Sequence, residues 1–172
     1  MTCFLLGYTS KVPGTEVSVR EPEVAFSACF GEPFLVWKPE RYGELLLQYL
    51  SQYPAKVWLL NTGWMGGPAT AVQRADGLPR RVPIIDSRRM VRYIQSIGEA
   101  EVPTQIYSDF KWQVPTVIPG LGNPDILLPS QVWDDPVKCN QETSKLYRKF
   151  QQALHNKFGQ DTVDKYWFGI DT

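Results

Sequence analysis

The chain has 172 residues, 43% of them hydrophobic, with 18 basic and 18 acidic side chains that cancel to a net charge of zero. That length and apolar content suffice for one domain with a real core. Charge neutrality argues against a protein that coats nucleic acid or docks on anionic membrane by electrostatics.

Taken in chain order, Cys3–Tyr8 is apolar and reads as a short strand or buried turn. Ser10–Arg20 is rich in Gly, Pro, Thr and charge, a loop composition. Val24–Phe30 reads as a strand turning at Gly31. Pro39 suits a first helical turn, and Tyr42, Leu45, Leu46, Tyr49 and Leu50 recur at helical spacing up to Pro54. Lys56–Asn61 is a nearly continuous apolar run, the pattern of a strand covered on both faces. Thr62–Pro79, studded with glycine and proline, predicts an extended loop in a position where α/β folds often bind ligands. Asp86 or Ser87 is expected to cap a second helix that buries Met90, Val91, Ile94 and Ile97. Glu101–Pro129 is proline-rich and mostly irregular, with a strand at Thr104–Tyr107. Asp135 followed by Pro136 is the best helix start in the chain, and Leu146, Tyr147, Phe150, Leu154 and Phe158 form one apolar face behind it. The tail Tyr166-Trp167-Phe168 is unusually aromatic. No repeat or linker is evident, so residues 1–172 are read as a single domain.

Chemistry-bearing residues are sparse. Cys3, Cys29 and Cys139 are far apart, outside any CxxC or Cys/His spacing, and are read as structural thiols in a reducing compartment, the cytoplasm or the mitochondrial matrix. The single histidine, His155, has no metal-type ligand spaced to help it. No apolar run is long enough for a membrane span, and the first residues lack the pattern of a signal peptide. Arg80, Arg81, Arg88, Arg89 and Arg92 form a basic cluster that reads as a phosphate or nucleic-acid contact, or as a solvated helix face with acidic partners.

Several ordered blocks resemble ATP-dependent phosphoenolpyruvate carboxykinase: Gly7-Tyr8-Thr9-Ser10-Lys11-Val12-Pro13-Gly14-Thr15-Glu16, Phe26-Ser27-Ala28-Cys29-Phe30-Gly31 with Pro33-Phe34-Leu35, and Val114-Pro115-Thr116 with Pro119-Gly120. The most specific is Val57-Trp58-Leu59-Leu60-Asn61-Thr62-Gly63-Trp64 followed by Gly66-Gly67-Pro68. The resemblance is to the C-terminal portion of that enzyme. It implies an α/β fold, a mixed sheet with flanking helices, like the family's nucleotide-binding region. It also implies that the phosphate loop, the metal-holding Lys, His and Asp, and the substrate arginines belong to an upstream part. No G-x-x-x-x-G-K-[ST] occurs in this sequence. A phosphoryl transfer needs its phosphates positioned and their charge neutralised, so the chain by itself reads as non-catalytic.

By the same resemblance, Arg81 and Val82 would lie beside an adenine and Ser87 would touch the nucleotide, making ATP the one cofactor to consider. Departures from the family pattern favour instead a solvated or partner-facing loop: the insert Ala69–Pro79 is longer, and Pro79 stands where the family has glycine. Three functions follow. The first is a structural or interaction subunit bound to other proteins of a larger assembly, for which a mitochondrial complex is one host, touching nucleic acid only if that assembly is a ribonucleoprotein. The others are a subunit of a split carboxykinase, completing the nucleotide site of a separate catalytic polypeptide, and a stand-alone nucleotide-binding domain.

Overall fold

The computed structural model describes residues 1–11, 23–53, 55–68, 70–98 and 100–167. In chain order they form α1 (Thr2–Leu6), β1 (Tyr8–Lys11), β2 (Glu23–Phe26), α2 (Pro39–Gln52), β3 (Trp64–Met65), β4 (Arg80–Arg81), α3 (Ile84–Ile97), β5 (Thr104–Tyr107), β6 (Trp112–Pro115), α4 (Pro129–Val132), α5 (Pro136–Phe158) and α6 (Gln160–Tyr166), with short 3-10 turns between. The fold is α/β, helices flanking small sheets. Among the described residues the strands pair as three antiparallel two-stranded sheets, β1 with β2, β3 with β4 and β5 with β6. The chain divides into two compact units, residues 1–57 with 146–172, and residues 58–145.

In the first unit the buried side chains include Leu5, Leu6, Ala28, Phe150 and Leu154, all at 0% exposure. Cys3–Tyr8 therefore differs from its expected strand or turn. It is a single turn of helix, α1, followed by the first residue of β1. Gly7 makes the change of direction possible. It sits at φ +59°, and a Cβ there would fall 1.6 Å from the Ser27 carbonyl oxygen, so only glycine fits. Phe150 on α5 packs against Tyr8 at 4.9 Å between ring centroids and edge-on to Phe26 at 5.4 Å. Its neighbour down the stripe, Leu154, is equally buried. Thr2 donates its hydroxyl to the Tyr166 carbonyl, and the Trp167 indole N–H reaches the Tyr147 hydroxyl at 3.0 Å. The aromatic tail is thus used for packing as far as Trp167; Phe168 lies outside the described residues, as do Pro54 and most of the loop expected over Ser10–Arg20. Burial pushes the Cys3 thiol up to about 11, which suits an inert packing thiol.

Helix α2 begins at Pro39 as its sequence predicts, but its apolar face is only half-buried, with Tyr49 and Tyr53 exposed. Just before it, Phe34 and Val36 project into solvent.

Lys56–Asn61 is the largest departure. It was expected as a strand covered on both faces; it forms no regular structure, with Val57 at 67% and Leu59 at 58% exposure. Among the described residues, the backbones of Val57 to Leu60 make no hydrogen bond. The reason is physical: apolarity dictates that a segment be covered, but a strand also needs a neighbouring backbone to bond, and these residues bond none among the described residues.

In the second unit the core is Met65, Leu78, Val82, Met90, Ile118 and Val132, flanked by Tyr93, Leu121 and Trp133. The loop expected over Thr62–Pro79 is interrupted by β3, whose register sets Trp64 opposite Arg81 and Met65 opposite Arg80. Strand β5 occupies the expected residues and closes on β6 through a turn in which Phe110 stacks on Trp112 at 4.4 Å. Asp135 caps α5 as expected: its carboxylate accepts the Val137 and Lys138 amides at 2.8 and 3.2 Å.

Candidate functional site

The candidate site is the β3–β4 hairpin, the loop between its strands and the start of α3, all in the second unit. Arg74 organises the loop. Its guanidinium donates to the Gly66 carbonyl at 2.9 Å, to the Val132 carbonyl at 3.0 Å and to the Asp76 carboxylate at 3.0 Å, with Asp134 3.9 Å away. The Leu78 amide donates to the same Asp76 carboxylate at 3.0 Å, and the Arg74 amide donates to the Leu78 carbonyl. The Leu78 amide, and after it Arg74, hold the Asp76 carboxyl below the usual carboxylate range. Gly66 is fixed in this arrangement: at φ +80°, a Cβ would meet Leu78 at 2.9 Å and the Val132 carbonyl at 3.1 Å.

Beside the loop is an open cleft of about 330 Å³, lined by Arg74, Arg80, Asp76, Asp125, Asp134 and Trp133 among others. Its carboxylates outnumber its arginines and Arg74 is already engaged, so the cleft is poorly suited to a polyphosphate. No group of three or more His, Cys, Asp or Glu side chains is placed to hold a metal ion among the described residues. No helix among them is long and apolar enough to cross a membrane.

The residues singled out by resemblance are distributed as follows. Arg81, on β4, is exposed. Val82 follows it and points the other way. Its amide donates to the Gly63 carbonyl at 2.8 Å, and its side chain, 8% exposed, is packed in the core. Ser87 is half-buried in the first turn of α3. Neither Asp86 nor Ser87 caps that helix: it starts at Ile84 behind Pro83, whose carbonyl receives the Asp86 and Ser87 amides. Proline at the boundary displaced the expected cap, since its fixed φ sets up the helix without a side-chain acceptor. Asp86 is instead 4% exposed, accepting the Gly122 amide at 2.9 Å and the Arg89 guanidinium at 3.1 Å. It ties α3 to the irregular segment after β6.

One residue of the site has no signal in the sequence, and another has a different role from the one its position suggests. Arg74 gave no local sign of its role, because Val132 is remote in sequence. Asp86 was seen, but as a cap; the Gly-Leu-Gly of residues 120–122, able to bring an amide close, was the only available hint.

Comparison with known proteins places the chain. A family model for phosphoenolpyruvate carboxykinase matches residues 1–124. An ATP-type phosphoenolpyruvate carboxykinase of Salinibacter ruber is 41% identical over 147 residues, covering 86% of this chain and 26% of that protein. One from Dictyostelium discoideum is 41% identical over 148 residues, covering 86% and 25%. One from Emericella nidulans is 38% identical over 162 residues, covering 94% and 26%. The chain belongs to the phosphoenolpyruvate carboxykinase family, and it spans about a quarter of the length of these curated relatives.

Proposed function

We propose that this chain is a non-catalytic member of the phosphoenolpyruvate carboxykinase family that serves as an interaction subunit of a larger protein assembly. The observation carrying this reading is the run from Val57 to Leu60, apolar on both faces, largely exposed and without backbone hydrogen bonds among the described residues. Bare apolar surface with unpaired backbone is a template for another polypeptide. Covering it restores both hydrophobic burial and backbone pairing. The non-catalytic part rests on the site: a buried Val82, an engaged Arg74 and a carboxylate-rich cleft offer no cradle for a triphosphate.

Size-exclusion of native extract tests the reading, with the chain expected in a complex well above its 19.6 kDa. Migration only as a free monomer counts against it. Purified chain that phosphorylates and decarboxylates oxaloacetate with ATP, unaided, overturns the non-catalytic part. Calorimetry with ATP and ADP is expected to give no heat at millimolar ligand.

A second reading, one subunit of a split carboxykinase, is supported by roughly 40% identity to only a quarter of each relative. It is tested by adding a polypeptide that spans the other three quarters of such a relative. Restored oxaloacetate turnover favours it over the structural role.

A further inference from the structure

Helix α3 has two faces, and its own unit uses only one. Asp86, Met90, Tyr93 and Ile97 follow one another at helical spacing along the packed face, where Met90 is a core residue and Asp86 is tied to Gly122. Ile84, Arg88, Val91, Arg92 and Gln95 share the opposite face at spacings of three and four. All of them are exposed, Ile84 at 72%, and Ile85 at the margin is 52% exposed.

The charge on this face has one sign. The sole acid of α3 is Asp86, which is buried and pairs with Arg89. Arg89 is therefore withdrawn from the basic cluster that the sequence suggests. Arg88 and Arg92 pair with no carboxylate among the described residues, and neither do Arg80 and Arg81 on β4, just upstream. The face thus alternates aliphatic side chains with unpaired guanidinium groups.

We propose that this face of α3 docks an acidic amphipathic helix of another polypeptide, whose Glu or Asp side chains pair with Arg88 and Arg92 while its aliphatic residues cover Ile84 and Val91. Charge complementarity selects the occupant: a guanidinium fork matches carboxylates in two-point geometry. The hydrophobic half selects between classes. A single-stranded nucleic acid gains from aromatic platforms, and a bilayer surface from Trp and Tyr anchors. This face carries neither; its apolar members are Ile84, Ile85 and Val91. Helix-in-groove recognition uses apolar anchors at this spacing.

The proposal rests on reading the chain as an interaction subunit, and its test separates the two. The probe is a fluorescein-labelled synthetic helix with Glu at i and i+4 and Leu between, titrated with the full chain and followed by anisotropy. Binding is expected, weakened at least about tenfold by R88E/R92E and by the gentler R88Q/R92Q, and reduced by I84S/V91S. A Gln-for-Glu version of the peptide is expected to lose most affinity. No binding, equal binding of the neutral peptide, or tighter binding of an RNA oligomer or of phosphatidylserine vesicles overturns the proposal. A native complex whose size is unchanged by R88E/R92E sinks this surface and leaves the subunit reading intact. A monomeric chain that still binds the peptide through Arg88 and Arg92 does the reverse.

Discussion

The apolar stripe of α5 and the apolar run at Val57–Leu60 look equally committed to burial as sequence, yet they meet opposite fates. On α5, Phe150 and Leu154 are completely buried. In the run, Val57, Leu59 and Leu60 are exposed. The difference lies in where each backbone finds its hydrogen bonds. A helix satisfies its own amides and carbonyls and needs only a surface to lie on. An extended segment needs a neighbour for its backbone as well as cover for its side chains. An amphipathic helix can therefore be complete where an extended apolar run is not.

The contrast can be broken or sharpened by substitution. Phe150→Ala removes a ring at 0% exposure that touches Tyr8 and Phe26, and is expected to cost about 3–5 kcal/mol in urea unfolding. A loss below about 1 kcal/mol would mean that the stripe is not the keel of the first unit. Arg74→Met leaves the Gly66 and Val132 carbonyls without their donor, and should cost about 1–3 kcal/mol by the same measurement. Asp135→Ala deletes the α5 cap, with an expected loss of about 1 kcal/mol.

A smaller effect depends on pH. Hydrogen bonds from Lys157 and from the Ala28 amide hold the Glu32 carboxyl below its ordinary 4.5. A depressed value means that the pair stabilises above pH 4.5 and that this contribution fades as the pH falls below it. In Glu32→Gln the thermal midpoint should drop slightly at pH 7 and lose part of its slope at acid pH. Smallest of all for folding, Val57→Ser with Leu59→Ser should change stability by no more than about 0.5 kcal/mol, because both side chains are already in water. The same pair should release the chain from its complex in native extract. A large loss of stability with unchanged complex size would reverse the comparison.

What could be read in the sequence follows the same division. The start of α2 at Pro39, the span of β5 and the capped start of α5 were legible, because each is specified by residues within a turn or a few positions of one another. The single turn α1 was not, since five residues are too few to show a helical period. Nor was the irregular, exposed state of Val57–Leu60, because an apolar run does not encode whether another backbone lies alongside it. At the site, the outward Arg81 and inward Val82 do not follow from strand alternation, because Arg80 and Arg81 are both exposed and Val82 lies past the end of β4. Nor is the grip of Arg74 on Val132 legible, because no local pattern encodes a bond between a loop and a remote carbonyl.

The way Arg74 closes its loop separates positions that bear on the fold from positions that do not. Gly66, Arg74, Asp76 and Leu78 form a clasp at the root, while Thr70, Ala71 and Val72 beyond it lie open to water, Val72 at 91% exposure. The side chains of Thr70, Ala71 and Val72 make none of the clasp's bonds, so substitutions there leave it in place, whereas Gln73 donates to the Gly77 carbonyl at 3.0 Å and belongs to the root. Such an arc can change its chemistry at the tip without disturbing the fold at its base.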